Sequence, residues 1–89
     1  MQISLGRVVG TPAALEALAA AGADVVELLA RHAHGDWGDL GSEDKRLNDR
    51  AVQGRTRLLS AYMLSDSVKV WIITEADRSA TTVLLPDEY

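Results

Sequence analysis

Two stretches of the chain place side chains able to do chemistry close together. The first is His32-Ala33-His34-Gly35-Asp36-Trp37-Gly38-Asp39, with two histidines and two carboxylates within eight residues. Imidazole and carboxylate both suit a divalent metal, but a bound ion needs three or four ligands that converge. Residues two apart on a helix point about 200° apart, so His32 and His34 do not share an ion while the helix is intact. The ordinary role for His34 is to satisfy carbonyls at a helix end near Gly35. Neither a metal nor another cofactor is therefore expected. The second stretch is Thr74 to Thr82, where Glu75, Asp77 and Arg78 could serve as acid, base and anion clamp in phosphodiester cleavage or acyl transfer. The same residues are also ordinary turn formers.

Elements read from the pattern must position these groups. Ile3, Leu5 and Val9 alternate, which predicts a short strand over Gln2 to Val9, ended by Gly10. Thr11-Pro12 starts a helix that Gly22 stops. Asp24 opens a second helix, on which Val25, Leu28, Leu29 and His32 share one face and which Gly35 terminates. The glycines and aspartates of 36–41 form a loop. Ser42 then caps a third helix, with Glu43 and Asp44 in its first turn and Gly54 at its close. From Thr56 the period becomes two. Leu58, Ser60 and Tyr62 alternate with Leu59, Ala61 and Met63; further strands follow through Val68 to Ile73 and Thr81 to Leu85, with turns at Ser65-Asp66 and Glu75 to Ser79. The expected fold is one α+β domain over residues 1–89: a short strand, two to three helices, then a three-stranded antiparallel meander. The sheet would have three to four strands with the helices on one face. The Ile72-Ile73 and Leu84-Leu85 pairs predict that the second sheet face is also partly covered, which a partner chain could do.

The composition sets bounds. Nine Lys and Arg against thirteen Asp and Glu give a net charge of −4 over 89 residues, with 47% hydrophobic types. This is a globular composition, and the balance argues against a protein living by phosphate contacts, although a local basic patch could still bind nucleic acid. No apolar run reaches the roughly 20 residues of a membrane span. Cysteine is absent, which excludes disulfides and thiol chemistry. The N-terminal residues lack a basic segment followed by an apolar one, so a cytoplasmic protein is expected. Trp37, set between Asp36, Gly38 and Asp39, predicts an ordered loop with its indole at least half buried, or a partner-binding anchor.

His34 to Leu40, Glu43-Asp44, Asn48 and the tail from Trp71 to Pro86 together resemble a family of small bacterial proteins labelled plasmid-related, some also labelled type I restriction subunit M. The likeness covers nearly the whole chain. It implies a bacterial, cytoplasmic protein associated with plasmids or mobile elements, and brings no established activity. A methyltransferase is not expected, since 89 residues cannot hold the nucleotide-binding α/β domain and no Gly-rich cofactor loop is present.

Three functional expectations follow. One is an accessory protein that binds a protein partner or a second copy through Trp37, Asp39, Tyr62 or Trp71. Another is a small nuclease or toxin using His34, Asp36, Glu75, Asp77 and Arg78, with Arg55 and Arg57 gripping phosphate. The third is an acidic anti-defence DNA mimic.

Overall fold

A computed structural model describes residues 2–89. Its elements are β1 (Arg7–Gly10), α1 (Pro12–Ala21), α2 (Val25–Ala33), α3 (Ser42–Gly54), β2 (Leu58–Met63), β3 (Lys69–Thr74) and β4 (Ala80–Leu84), followed by a 3₁₀ turn at Pro86–Glu88. The class is α+β. The sheet runs β1-β4-β3-β2, with β2, β3 and β4 antiparallel and β1 parallel to β4.

The helix starts follow local chemistry. Thr11 accepts a hydrogen bond from the Ala14 amide at 3.1 Å, with Pro12 in the first turn, and Asp24 accepts from the Val26 amide at 2.9 Å. α3 departs from expectation at its start, where Gly41 rather than Ser42 is the N-cap, without a side-chain bond. It ends at Gly54, as expected, and Arg55 follows as its C-cap in the left-handed region, φ 55°. The first strand is also shorter than the alternation predicts. Gly6, at φ 63°, breaks the chain before Arg7, and Ile3 lies instead against the end of α2, its amide donating to the Ala33 carbonyl at 2.8 Å.

The register sorts the strands into two faces. Leu58, Tyr62, Val70, Ile72 and Val83 point toward the helices. Ala14, Leu18 and Leu28 pack on most of them, and a second cluster joins Leu58 to Ile3, Trp37 and Ala51. The opposite face carries Leu59, Trp71, Ile73, Thr82 and Leu84 and receives no described helix. Tyr89 stands edge-on to Trp71 there at 6.0 Å, and Ile73 and Leu84 of the same face are buried. No described helix is long and apolar enough to cross a membrane.

The β2 edge is closed from within. Asn48 donates to the Leu59 carbonyl at 2.6 Å and accepts from the Leu59 amide at 3.1 Å, acting as a one-residue strand. Next along the edge, the Asp39 amide donates to the Ala61 carbonyl at 2.6 Å, and the Ala61 amide donates to the Trp37 carbonyl at 3.1 Å. Occupied backbone groups of this kind prevent strand-on-strand association.

Gly6 offers a test of this frame. A Cβ there would overlap the carbonyl oxygens of Ser79 and Arg78, whereas at Gly22, also left-handed, it would meet nothing within 4 Å. Gly6→Ala should cost more than about 3 kcal/mol in denaturant unfolding, and Gly22→Ala only about 1 kcal/mol. Equal costs would show that the Gly6–Ser79 approach is not tight.

Candidate functional site

His32 closes the last turn of α2, one turn beyond Leu28, and its ring is fully buried, as are Ser60, Thr74 and Thr81. Its Nδ1 lies 2.5 Å from the Ser60 hydroxyl and its Nε2 lies 2.8 Å from the Thr74 hydroxyl. Thr74 and Thr81 face each other across β3 and β4 with hydroxyls 2.7 Å apart, and the Thr81 hydroxyl donates to the Leu5 carbonyl at 2.7 Å.

Proton counting fixes the direction of this chain. A carbonyl only accepts, so the single Thr81 proton goes to Leu5. Thr74 must then donate to Thr81, which obliges it to accept from His32 Nε2–H. A neutral imidazole with its proton on Nε2 accepts at Nδ1, so Ser60 is the donor there. Every member is satisfied; the Ser60 hydroxyl could accept from a protonated Nδ1 as well as donate to a bare one, so it is the burial of the ring that decides its charge. Burial first, and the Arg78 charge second, lower the His32 pKa from 6.5 to about 4. Both ring nitrogens are occupied and none of the four side chains reaches solvent, so the arrangement holds the fold together and offers no base to a substrate.

Trp37 is ordered and 3% exposed. Its ring meets the His32 ring edge-on at 5.7 Å and its indole N–H donates to Asp49 at 2.9 Å. Tyr62 is buried as well, its hydroxyl donating to the Asp36 carbonyl at 2.5 Å. The Asp36 carboxylate takes a 2.7 Å ion pair from Arg31, which lies over the Tyr62 ring at 4.6 Å; this bond, more than any other cause, lowers the Asp36 pKa. Asp39 is exposed and stands 4.0 Å from Lys69. His34 is the exposed C-cap of α2, its amide donating to the Ala30 and Arg31 carbonyls.

The turn between β3 and β4 is built separately. Glu75 pairs with Arg57 at 3.5 Å, and Asp77 accepts from the Ser79 amide at 2.9 Å, the Ser79 bonds lowering its pKa. Arg78, left-handed at φ 62°, turns its guanidinium onto the carbonyls of Ala51, Thr56, Glu75 and Ala76 and so ties the hairpin to the end of α3. Asp36 hangs from Tyr62, which pairs with Val70, while the turn follows Thr74. Four residues of strand, roughly 13 Å, separate the two levels. Asp36 and the Glu75–Ser79 turn therefore lie toward opposite ends of the sheet. Among the described residues no three histidines or carboxylates come together to hold a metal.

Comparison with protein families, curated proteins and solved structures finds no match to this chain. Function has to be read from geometry. The residues that sequence reasoning passed over are Ser60, Thr74 and Thr81. Their signal was present: three hydroxyls on inward strand positions, with one histidine on the apolar face of a helix.

The neutral imidazole makes stability depend on pH. Above pH 6.5 folded and unfolded chains both hold His32 neutral; below it the unfolded chain takes up a proton that the folded chain refuses until about pH 4. Stability should fall by up to about 3 kcal/mol across that window, at roughly 1.4 kcal/mol per unit. Urea unfolding at pH 7 and pH 4.5 checks this above the range in which Asp36 and Asp77 begin to protonate. Unchanged stability between those two points would contradict it.

Proposed function

We propose that this is a small accessory protein that works by binding another protein through the sheet face its helices leave open. The observation that carries the reading is the composition of that face. Trp71 lies at its centre, partly exposed, beside the 67% exposed Tyr89, and Met63 and Val9 extend the apolar strip at 43% and 41% exposure. Lys69, Arg57 and Arg7 stand along its margins. A large aromatic residue on an apolar surface with a charged rim is the usual composition of an interface centre. The strip also runs out to β1, which is exposed along its whole length, whereas the β2 edge is closed. The partner that fits is a protein presenting apolar residues flanked by acidic ones.

The surface differs from the sequence-based choice of anchors. Trp37 and Tyr62 are spent inside the domain, which leaves Trp71 as the aromatic residue of that set with surface to offer. The resemblance to plasmid-related bacterial proteins supports placing the partner in the bacterial cytoplasm, within the business of a mobile element. The nuclease reading has less support, because Asp36 is committed to Arg31 and lies toward the opposite end of the sheet from Glu75, Asp77 and Arg78. The DNA-mimic reading is weakened by carboxylates that alternate with cations in Arg31–Asp36, Arg57–Glu75 and Lys69–Asp39.

Sedimentation together with amide hydrogen exchange tests the proposal. On adding the partner recovered from the host, protection should rise at Val9, Met63, Trp71 and Ile73, and Trp71→Ser should weaken binding at least tenfold while the variant stays folded. A strict monomer with no partner, or protection confined to the helical face, would contradict it.

A further inference from the structure

Only two described residues other than glycine adopt a positive φ, and both are arginines: Arg55 at 55° and Arg78 at 62°. An L-residue in this region costs about 1–2 kcal/mol, and such outliers gather where function demands them. Gly54 directly precedes Arg55, so a glycine at the helix-terminating position lay one residue away and was not used. Both arginines line the same cavity of about 200 Å³, together with Gln2, Ile3, Ser4 and Val52. No carboxylate is among the described residues that line it. The cavity thus has two guanidinium groups, a hydroxyl and an amide set against two apolar side chains.

The donors in this cavity are not exhausted by the fold. A guanidinium carries five N–H groups. The carbonyls of Thr56, Glu75 and Ala76 take up Nη1 of Arg78, and the Ala51 carbonyl takes one N–H of Nη2, which leaves the second Nη2 proton and the Nε proton. Those same carbonyls hold the guanidinium rigidly in place, and the bond to Ala51 also offsets the negative end of α3, which would otherwise repel an anion. Arg55 makes no ion pair among the described residues, while the neighbouring Arg57 is engaged with Glu75 and Tyr89. Two like charges line one cavity in a protein whose net charge is −4, with no carboxylate among its described lining residues.

We infer that the cavity between Arg55 and Arg78 is a binding site for an oxyanion, of the size and chemistry of the dianionic head of a small phosphomonoester. Arg78 is the donor held in place by backbone carbonyls, and Arg55, at the end of α3, is the second cation. Ser4 and Gln2 add neutral donors, and Ile3 and Val52 give an apolar wall for the first carbons of the ester. The depression, about 200 Å³ and open to solvent, has room for such a group. Paired arginines are well matched to phosphate because each presents parallel N–H groups to its oxygens. The site is separate from the open sheet face and does not depend on it.

The test uses inorganic phosphate and phosphoserine, titrated at low ionic strength and followed by amide and guanidinium NMR shifts, with chloride at matched ionic strength as the control. Saturable shifts are expected at residues 2–4, 52–55 and 78, with phosphoserine binding tighter than phosphate. Arg55→Gln should weaken both at least tenfold. Arg55→Gly is the more telling variant: it relieves the left-handed strain, so it should melt at a higher temperature than the parent while losing the anion. Shifts that do not saturate, that chloride reproduces, or that survive in both variants would overturn the inference.

Discussion

A neutral histidine buried among hydroxyl groups is the constraint on which most of this structure depends. A charged imidazole is disfavoured there, because burial removes its hydration and the Arg78 charge repels it. An apolar side chain cannot replace it either, because Ser60 and Thr74 would be left buried without their partner. The hydrogen-bonded chain from α2 crosses β2, β3 and β4 and ends on Leu5, one residue before the kink at Gly6. It therefore fixes the register of three strands against one helix and anchors the segment that leads into β1. It also runs where the two apolar clusters meet, with Leu58 on one side of Ser60 and Tyr62 on the other. In a domain this small, such a chain gives specificity that apolar contacts alone do not, since a slip of one residue would turn all three hydroxyls to the wrong face.

Other polar contacts finish what the chain begins. Asn48 and the backbone of 37–39 close one sheet edge, and Arg78 binds the last hairpin to the end of α3. With the helices all on one face, the opposite face around Trp71 and the cavity lined by the two left-handed arginines are the surfaces proposed to meet other molecules. The side chains that looked most reactive in the sequence are engaged elsewhere. His32 is sealed, and Asp36, Glu75 and Asp77 each hold a structural bond.

Much of the architecture was legible because it rests on local rules. Thr11-Pro12, Gly22 and Asp24 mark helix ends through bonds to their immediate neighbours, and period-two alternation marked the three later strands. What was not legible depended on distant partners. The alternation of Ile3 and Leu5 suggested a strand, yet Gly6 must turn to meet Ser79, a residue 73 positions away. Gly54 is the last residue of α3, as its glycine suggested, but the left-handed cap that follows falls on Arg55, which local sequence does not signal. The parallel placement of β1 beside β4 has no local signal at all. Trp37 drew notice as an anchor by its size, but its partner Asp49 lies on another element.

The tautomer of His32 tests the central claim most directly. Nitrogen-15 NMR of the imidazole at pH 7 distinguishes a protonated Nε2 from a protonated Nδ1 and both from the imidazolium. The hydrogen-bond chain requires the proton on Nε2, with Nδ1 bare and accepting from Ser60. A proton on Nδ1, or a charged ring at neutral pH, would contradict the account.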